Sequence, residues 1–188
     1  MDAARERAPQ CVRELAEADI DAVAVLRVCG WRAAYAGLMP QTYLDSMSAA
    51  EDAERHRARF RRRPPGVSEL VAERAGQVIG WAAVGPARDP DLAAPGGGAP
   101  DAGELLALYV APALIGTGAG RTLLAAAEER ARAAGFGLLC LWVVRGNARA
   151  RRFYERAGFT PDGAEEASDA GGVRVPELRY RRPVVAAP

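Results

Sequence analysis

Apolar and polar positions alternate briefly near the start of the chain and then recur every three to four residues. Residues 11–15 read as a strand. The acidic start Asp19–Ile20–Asp21 then leads into Val23, Leu26, Val28 and Trp31 at helical spacing, which predicts a helix from 19 to about 35. "YAGLMPQTYLDSMS" continues through a Gly-Pro break into a second helix containing "EDAERHRARFRRR", which Pro64-Pro65-Gly66 ends. Two β-like runs, 69–73 and 78–84, flank Arg74-Ala75-Gly76-Gln77 as a hairpin. Residues 89–103 hold Pro90, Pro95, Pro100 and Gly96-Gly97-Gly98 with almost nothing to bury, so the segment at about 86–103 is expected to be a mobile loop. Beyond it the period changes four times. It predicts a strand at 104–110, a helix at 118–134, a buried strand at 137–144 and a helix at 147–157 ended by Gly158. Two short strands, 159–162 and 173–181, complete a mixed α/β pattern.

Composition narrows the partners. With 188 residues and 49% apolar content the chain suits a single domain over 1–188. Its formal net charge of +1 offers no basic field for nucleic acid, and the arginines from Arg55 to Arg63, with only Phe60 interleaved, read as a solvated face. Cys11, Cys29 and Cys140 are odd in number and lack C-x-x-C spacing, which argues against a disulfide framework or metal site and for a reducing cytoplasm. No apolar run reaches the roughly 18 residues of a membrane span, and the N-terminus does not read as a signal peptide.

The candidate chemistry lies in "LYVAPALIGTGAGRTLLAAAEERARAAGFG", where Gly116, Gly118 and Gly120 alternate between a strand and a helix. A dinucleotide fingerprint would need glycine at 121, where Arg121 stands, and a phosphate P-loop would need a lysine that is absent. What remains is a glycine turn whose amides open a helix, an anion site by geometry and dipole. The plainer alternative is a turn that only joins strand to helix, but three alternate glycines exceed what a turn needs.

Residues 104–134 resemble the acetyl-CoA-binding motif of the GCN5-related N-acetyltransferase (GNAT) superfamily, written Q/R-x-x-G-x-G/A. It is read here as Ile115-Gly116-Thr117-Gly118-Ala119-Gly120, with Ile115 where the superfamily usually has Gln or Arg. "LWVVRGNARARRFYERAGF" resembles its second signature, and "WRAAYAGLMPQTYLDSMS" is similar to the first two helices of many bacterial members. The resemblance implies a central mixed, mostly antiparallel sheet with two splayed parallel strands and flanking helices. It also implies acetyl-CoA as cosubstrate, lying between 104–110 and 138–144. The amides of Leu108 and Val110 would then face the pantetheine and acetyl groups, and the loop Gly116, Thr117, Gly118, Ala119, Gly120 and Arg121, with Asn147, would complete the cofactor site.

Acetyl transfer to an amine sets further requirements. An alkylamine with a pKa near 10.4 is unprotonated in only about one molecule in a thousand at neutral pH, so a base is wanted. Glu104 lies eleven residues before Ile115, the spacing of the base in histone acetyltransferases that this chain resembles; a solvated strand-end glutamate is the alternative. Tyr154 follows Asn147 by two helical turns and leans back toward the helix start, which aims its phenol at the splayed strands unless it is a packing residue, with Phe153, Ala150 and Ala157 on a separate core stripe. A phenol is less acidic than a thiol by about 2 kcal/mol, so hydrogen bonding to the leaving sulfur suits it better than full proton transfer. Trp31 and Tyr35 sit where the superfamily lines its acceptor cleft, although their i, i+4 spacing serves a core equally well. The expected activity is acetyl transfer to a primary amine of a small molecule or protein, without metal. A non-catalytic acyl-CoA-binding sensor or interaction module is the alternative, and monomer and homodimer are both left open.

Overall fold

The computed structural model describes residues 10–62, 64–92 and 102–184. In chain order the elements are β1 (Gln10–Glu14), α1 (Ile20–Tyr35), α2 (Gln41–Ser46), α3 (Ala49–Arg62), β2 (Ser68–Arg74), β3 (Gln77–Pro86), β4 (Ala102–Val110), α4 (Ala119–Ala133), β5 (Leu138–Val144), α5 (Ala148–Arg156), β6 (Thr160–Ala170) and β7 (Val173–Pro183). The strands form one sheet in the order β1-β2-β3-β4-β5-β7-β6. All neighbours run antiparallel except β4 and β5, whose parallel ladder extends only from Ala102–Leu138 to Glu104–Cys140.

Successive strand residues point to opposite faces, and here both faces are covered. Leu70, Ala72 and Ile79 pack with Leu123, Leu124 and Ala127 of α4 and with Tyr154 of α5. Val71, Trp81 and Ala83 pack on the other face with Ile20, Val23 and Ala24 of α1 and Ala53 of α3. The arginines of α3 point outward, while Asp52, Ala53 and His56 form its buried side. His56 Nε2 lies 2.6 Å from the Glu69 carboxylate, which also accepts from Trp81 Nε1 at 3.0 Å.

Two elements differ from expectation. Residues 41–62 form two helices because Met47 is extended and the Ser48 hydroxyl accepts from the Glu51 amide at 3.3 Å, restarting the helix. The strand expected at 159–162 runs from Thr160 to Ala170. It is an edge strand of mostly exposed residues, so it lacks the apolar alternation by which strands are read, and Gly163 at φ 92° interrupts its start. Of the loop expected at about 86–103, residues 93–101 lie outside the described residues, whereas Pro86 ends β3 and Ala102 and Gly103 open β4. On its described flank, Asp91 accepts from Arg179 at 2.6 and 2.8 Å and Asp89 from Trp142 Nε1 at 3.0 Å. Arg179 also holds the buried Asp162 at 2.8 Å, joining this flank to β6 and β7.

The closed end of the β4–β5 pair is set by packing. Gly103 lies beneath Phe136, where an added Cβ would come within 2.5 Å of the ring. Phe136 is 8% exposed and cannot swing aside into solvent without leaving the core. Gly103→Ala is expected to lower stability by about 1–3 kcal/mol through overpacking. Urea unfolding of the variant beside the parent protein measures this directly, and an unchanged midpoint would show that Phe136 moves freely.

Candidate active site

Past Glu104 the β5-facing edge of β4 loses its partner. The Ala111 amide donates to the Ile79 carbonyl of β3 at 2.9 Å, so strand alternation turns the amides of Val110 and Leu108 the other way, into the gap. Ala83 faces Ala107 while Val84 faces Leu105, which makes Leu106 the extra residue of a β-bulge at the start of the gap. The opening forms a cleft of about 1010 Å³ that reaches both faces of the sheet. Gly116, Gly118, Gly120 and Arg121 line it on the α4 side, Leu108, Val110 and Tyr154 in the middle, and Tyr35, Tyr109 and Trp142 on the α1 side.

The α4 end is built to receive an anion. Gly118 caps the helix at φ 98°, a backbone region that side chains disfavour, and Gly116 sits at φ 92°. The first helical bond is from the Thr122 amide to the Gly118 carbonyl at 3.1 Å, and no side chain caps the turn, which leaves the amides of Ala119, Gly120 and Arg121 without helical acceptors. A Cβ at Gly116 would meet nothing within 4 Å, and one at Gly118 only Arg121 at 3.9 Å, so this backbone stands open. Arg121 and Arg182 line the same end. Thr117 contributes backbone only, since its hydroxyl donates to the Leu114 carbonyl at 2.8 Å; the Ala119 side chain is fully buried. Free amides, a helix N-terminus and arginines suit a pyrophosphate, and the unpaired β4 edge suits the amide-bearing pantetheine, so the residues present fit coenzyme A.

Asn147 lies before α5 rather than within it. Its Oδ1 accepts from the Ala150 amide at 3.1 Å, so its oxygen serves as a helix cap, and the Tyr35 phenol hydrogen-bonds to the same side chain. Tyr154 is 9% exposed and, with Phe153 and Phe159 edge-on at 5.2 and 5.9 Å, is the more deeply buried aromatic of α5. Phe153, Ala150 and Ala157 pack partly buried against the same core to which Tyr154 belongs, and Tyr154 lines the cleft between the splayed strands. Burial, and after it the neighbouring Tyr109, raises the Tyr154 phenol above its ordinary pKa, so it stays protonated and can donate.

Glu104 is placed away from this arrangement. It is 1% exposed, lies outside the cleft lining, and accepts from Arg88 Nε at 3.0 Å, from the Arg88 backbone amide at 3.2 Å and from Arg88 Nη2. Cys140, opposite it in β5, has its thiol pushed up to about 12 by burial first and the Glu104 charge second, which leaves it a poor nucleophile. Trp31 and Tyr35 meet edge-on at 4.9 Å and pack with Tyr43 and Met39. Tyr35 lines the cleft; Trp31 does not, but its Nε1 donates to the Tyr109 hydroxyl at 2.7 Å. Tyr109 and Trp142 were not singled out in the sequence. Alternation along β4 was the available signal for Tyr109, which must face opposite to Leu108 and Val110.

Residues 31–159 match the acetyltransferase (GNAT) family. The chain belongs to that family. An uncharacterized N-acetyltransferase of Bacillus subtilis is 30% identical over 177 residues, 94% of each chain. Among solved GNAT-like structures, a ribosomal-protein-alanine N-acetyltransferase from Brucella melitensis is 28% identical with a TM-score of 0.68, covering 92% of this chain and 99% of that one. An N-acetyltransferase from Thermoplasma acidophilum, solved with coenzyme A, shares the fold at 22% identity and a TM-score of 0.69, with 93% of this chain and 99% of that one covered. The protein is thus an acyl-CoA-dependent GNAT N-acetyltransferase with acetyl-CoA as cosubstrate.

The open turn generates a direct expectation. Gly118→Asp adds a side chain where space exists, at a backbone strain of about 1–3 kcal/mol from the positive φ, and its carboxylate repels phosphate. Calorimetry should show coenzyme A affinity falling at least about tenfold, the equivalent of 1.4 kcal/mol. Unchanged affinity in a folded variant would place the pyrophosphate elsewhere.

Proposed function

We propose that this cleft carries acetyl transfer across the sheet, with the cofactor entering from the α4 side and a primary amine of a small molecule or protein from the face of Tyr35, Tyr109 and Trp142. The observation behind this reading is the burial of Tyr154 midway along a cleft whose ends have different chemistry. When bound, acetyl-CoA supplies the activated acetyl carbon. The amides of Gly118, Ala119, Gly120 and Arg121 hold the pyrophosphate, those of Leu108 and Val110 orient the donor, and the Val110 amide polarises the carbonyl to be attacked. Asn147 shapes the wall by capping α5 and bonding Tyr35. Tyr154 donates to the sulfur as it leaves. In the overall exchange a C–N bond forms, the C–S bond breaks, the nitrogen releases a proton to water and the sulfur gains one. The inert Cys140 thiol favours direct transfer over a route through an acetylated cysteine. Exposed free Cys11 and Cys29 support a reducing cytoplasm as the setting.

Glu104 fits a positioning role better than that of a direct base. Both its oxygens are held by one guanidinium and the cleft does not reach it, so it orders the Arg88 segment beside the acceptor side. Glu104→Gln should therefore change turnover by a similar factor at every pH. A base would produce a loss of about 10²–10⁴-fold at neutral pH that shrinks as free amine accumulates, and a pH–rate profile separates the two outcomes.

Tyr154→Phe tests the reaction itself. A hydrogen bond to a developing charge is worth about 1.5–3 kcal/mol, so kcat should fall about 10- to 150-fold while acetyl-CoA affinity stays nearly constant. Steady-state rates alongside a coenzyme A titration decide this, and parental turnover in the Phe variant would remove Tyr154 from the chemistry.

A further inference from the structure

The Trp31–Tyr109 bond constrains what the acceptor half of the cleft can recognise. An indole N–H only donates, so at 2.7 Å from Trp31 Nε1 the Tyr109 oxygen accepts, and its own hydrogen must point away from Trp31. No other hydrogen bond of this hydroxyl is recorded among the described residues. Tyr109 lies between Leu108 and Val110 in β4 and lines the cleft from the opposite face. Its ring is held in place. Trp81 stacks on it at 6.1 Å with planes 11° apart, the Arg27 guanidinium stands 5.9 Å from its centroid, and Gly30 leaves room where a Cβ would sit 3.3 Å from Cδ1. Arg27 is fixed in turn by Asp52 at 2.8 and 2.9 Å. Burial raises the Tyr109 pKa, with Arg27 and Trp31 acting against it, so the proton stays on while its O–H is polarised.

A donor at this place needs an acceptor atom on the substrate. The amine nitrogen cannot serve, because an ammonium has no lone pair and a reacting free amine commits its lone pair to the acetyl carbon. The partner must therefore be another atom close to that nitrogen. We infer that Tyr109, oriented by Trp31, selects amines that carry a carbonyl or hydroxyl oxygen within two carbons of the nitrogen, the pattern of aminoacyl compounds. Tyr109 is a specificity residue for the reaction and Trp31 its positioning residue. The inference rests on the reading that the amine enters from this face.

Glycinamide and propylamine, which match in length and differ in the oxygen, provide the test. Rates are followed by thiol release from acetyl-CoA and expressed per free amine. The parent enzyme should prefer glycinamide. Tyr109→Phe should lower kcat/KM for glycinamide about 3- to 10-fold and for propylamine far less, with the KM for acetyl-CoA unchanged. Trp31→Phe keeps the phenol but frees it to rotate, and should reduce the glycinamide preference partway, which also covers the case of a Tyr109 variant that does not fold. Equal losses on both amines, an unchanged preference in Trp31→Phe, or a parent enzyme without preference, including one that uses neither amine, would overturn the inference. Failure of the Tyr154 reading is separable, because that variant changes kcat with both amines and leaves their ratio alone.

Discussion

A three-residue ladder governs the architecture of the site. Beyond Glu104–Cys140 the parallel strands part, and a sheet that would otherwise seal the molecule acquires an opening. Backbone amides left at such an edge are costly unless water or a ligand accepts from them, so the gap is a place where an acceptor-bearing ligand can be held. Phe136 over Gly103 fixes one end of the divergence and the bulge at Leu106 increases the local twist, so the place of separation is determined by packing. With the cap of α5 at the far end, these contacts put the Leu108 and Val110 amides, the α4 N-terminus and Tyr154 around a common path.

Charge inside the fold is arranged so that it does not compete with that path. Asp162 is held by Arg179, Glu104 by Arg88, and Glu69 by His56 and Trp81. Each pairing compensates a desolvated carboxylate that would otherwise destabilise the core. Asp89 links this network to the cleft through Trp142, whose indole also lies under the Arg179 guanidinium at 5.7 Å. The cleft wall is therefore stiffened by ion pairs whose charges lie beside it.

The sequence conveyed the parts of this design that have a period or a fixed spacing. The strands of the hairpin at 69–84, the helix after Gly118 and the strand–helix unit around Tyr154 follow from hydrophobic repeats, and the glycine turn from its own spacing. The β6 edge strand was illegible because it buries little on either face, and the break at Met47 because one extended residue leaves no pattern. The Glu104 placement was hidden for another reason. Spacing locates a residue along a strand, whereas its use depends on Arg88, sixteen residues earlier and brought beside it by the β3–β4 pairing. Tyr109 has no motif of its own in the sequence, and only alternation along β4 places it opposite to Leu108 and Val110.

The protonation states around the cleft bear on the acceptor. Tyr154 and Tyr109 are both kept protonated by burial, so the cleft is flanked by donors. Among the described lining residues the single carboxylate is Glu128, on the α4 side and paired with Arg182. The described lining has donors and no carboxylate on the acceptor side, and Glu177, its carboxyl raised by burial, acts on Tyr35 and Tyr109 from outside that lining, so no lining base meets an alkylammonium, of which about a thousandth or less is free amine at neutral pH. An α-amine with a pKa near 7.7–8.0 is already free in roughly one molecule in six to eleven at pH 7, which raises the reactive fraction about a hundredfold or more without any catalytic group. The oxygen that Tyr109 would recognise is the group whose electron withdrawal makes such amines weakly basic. Under the proposed reading, recognition and reactivity converge on the aminoacyl pattern, because in such acceptors the atom that Tyr109 would bind also prepares the nitrogen for attack.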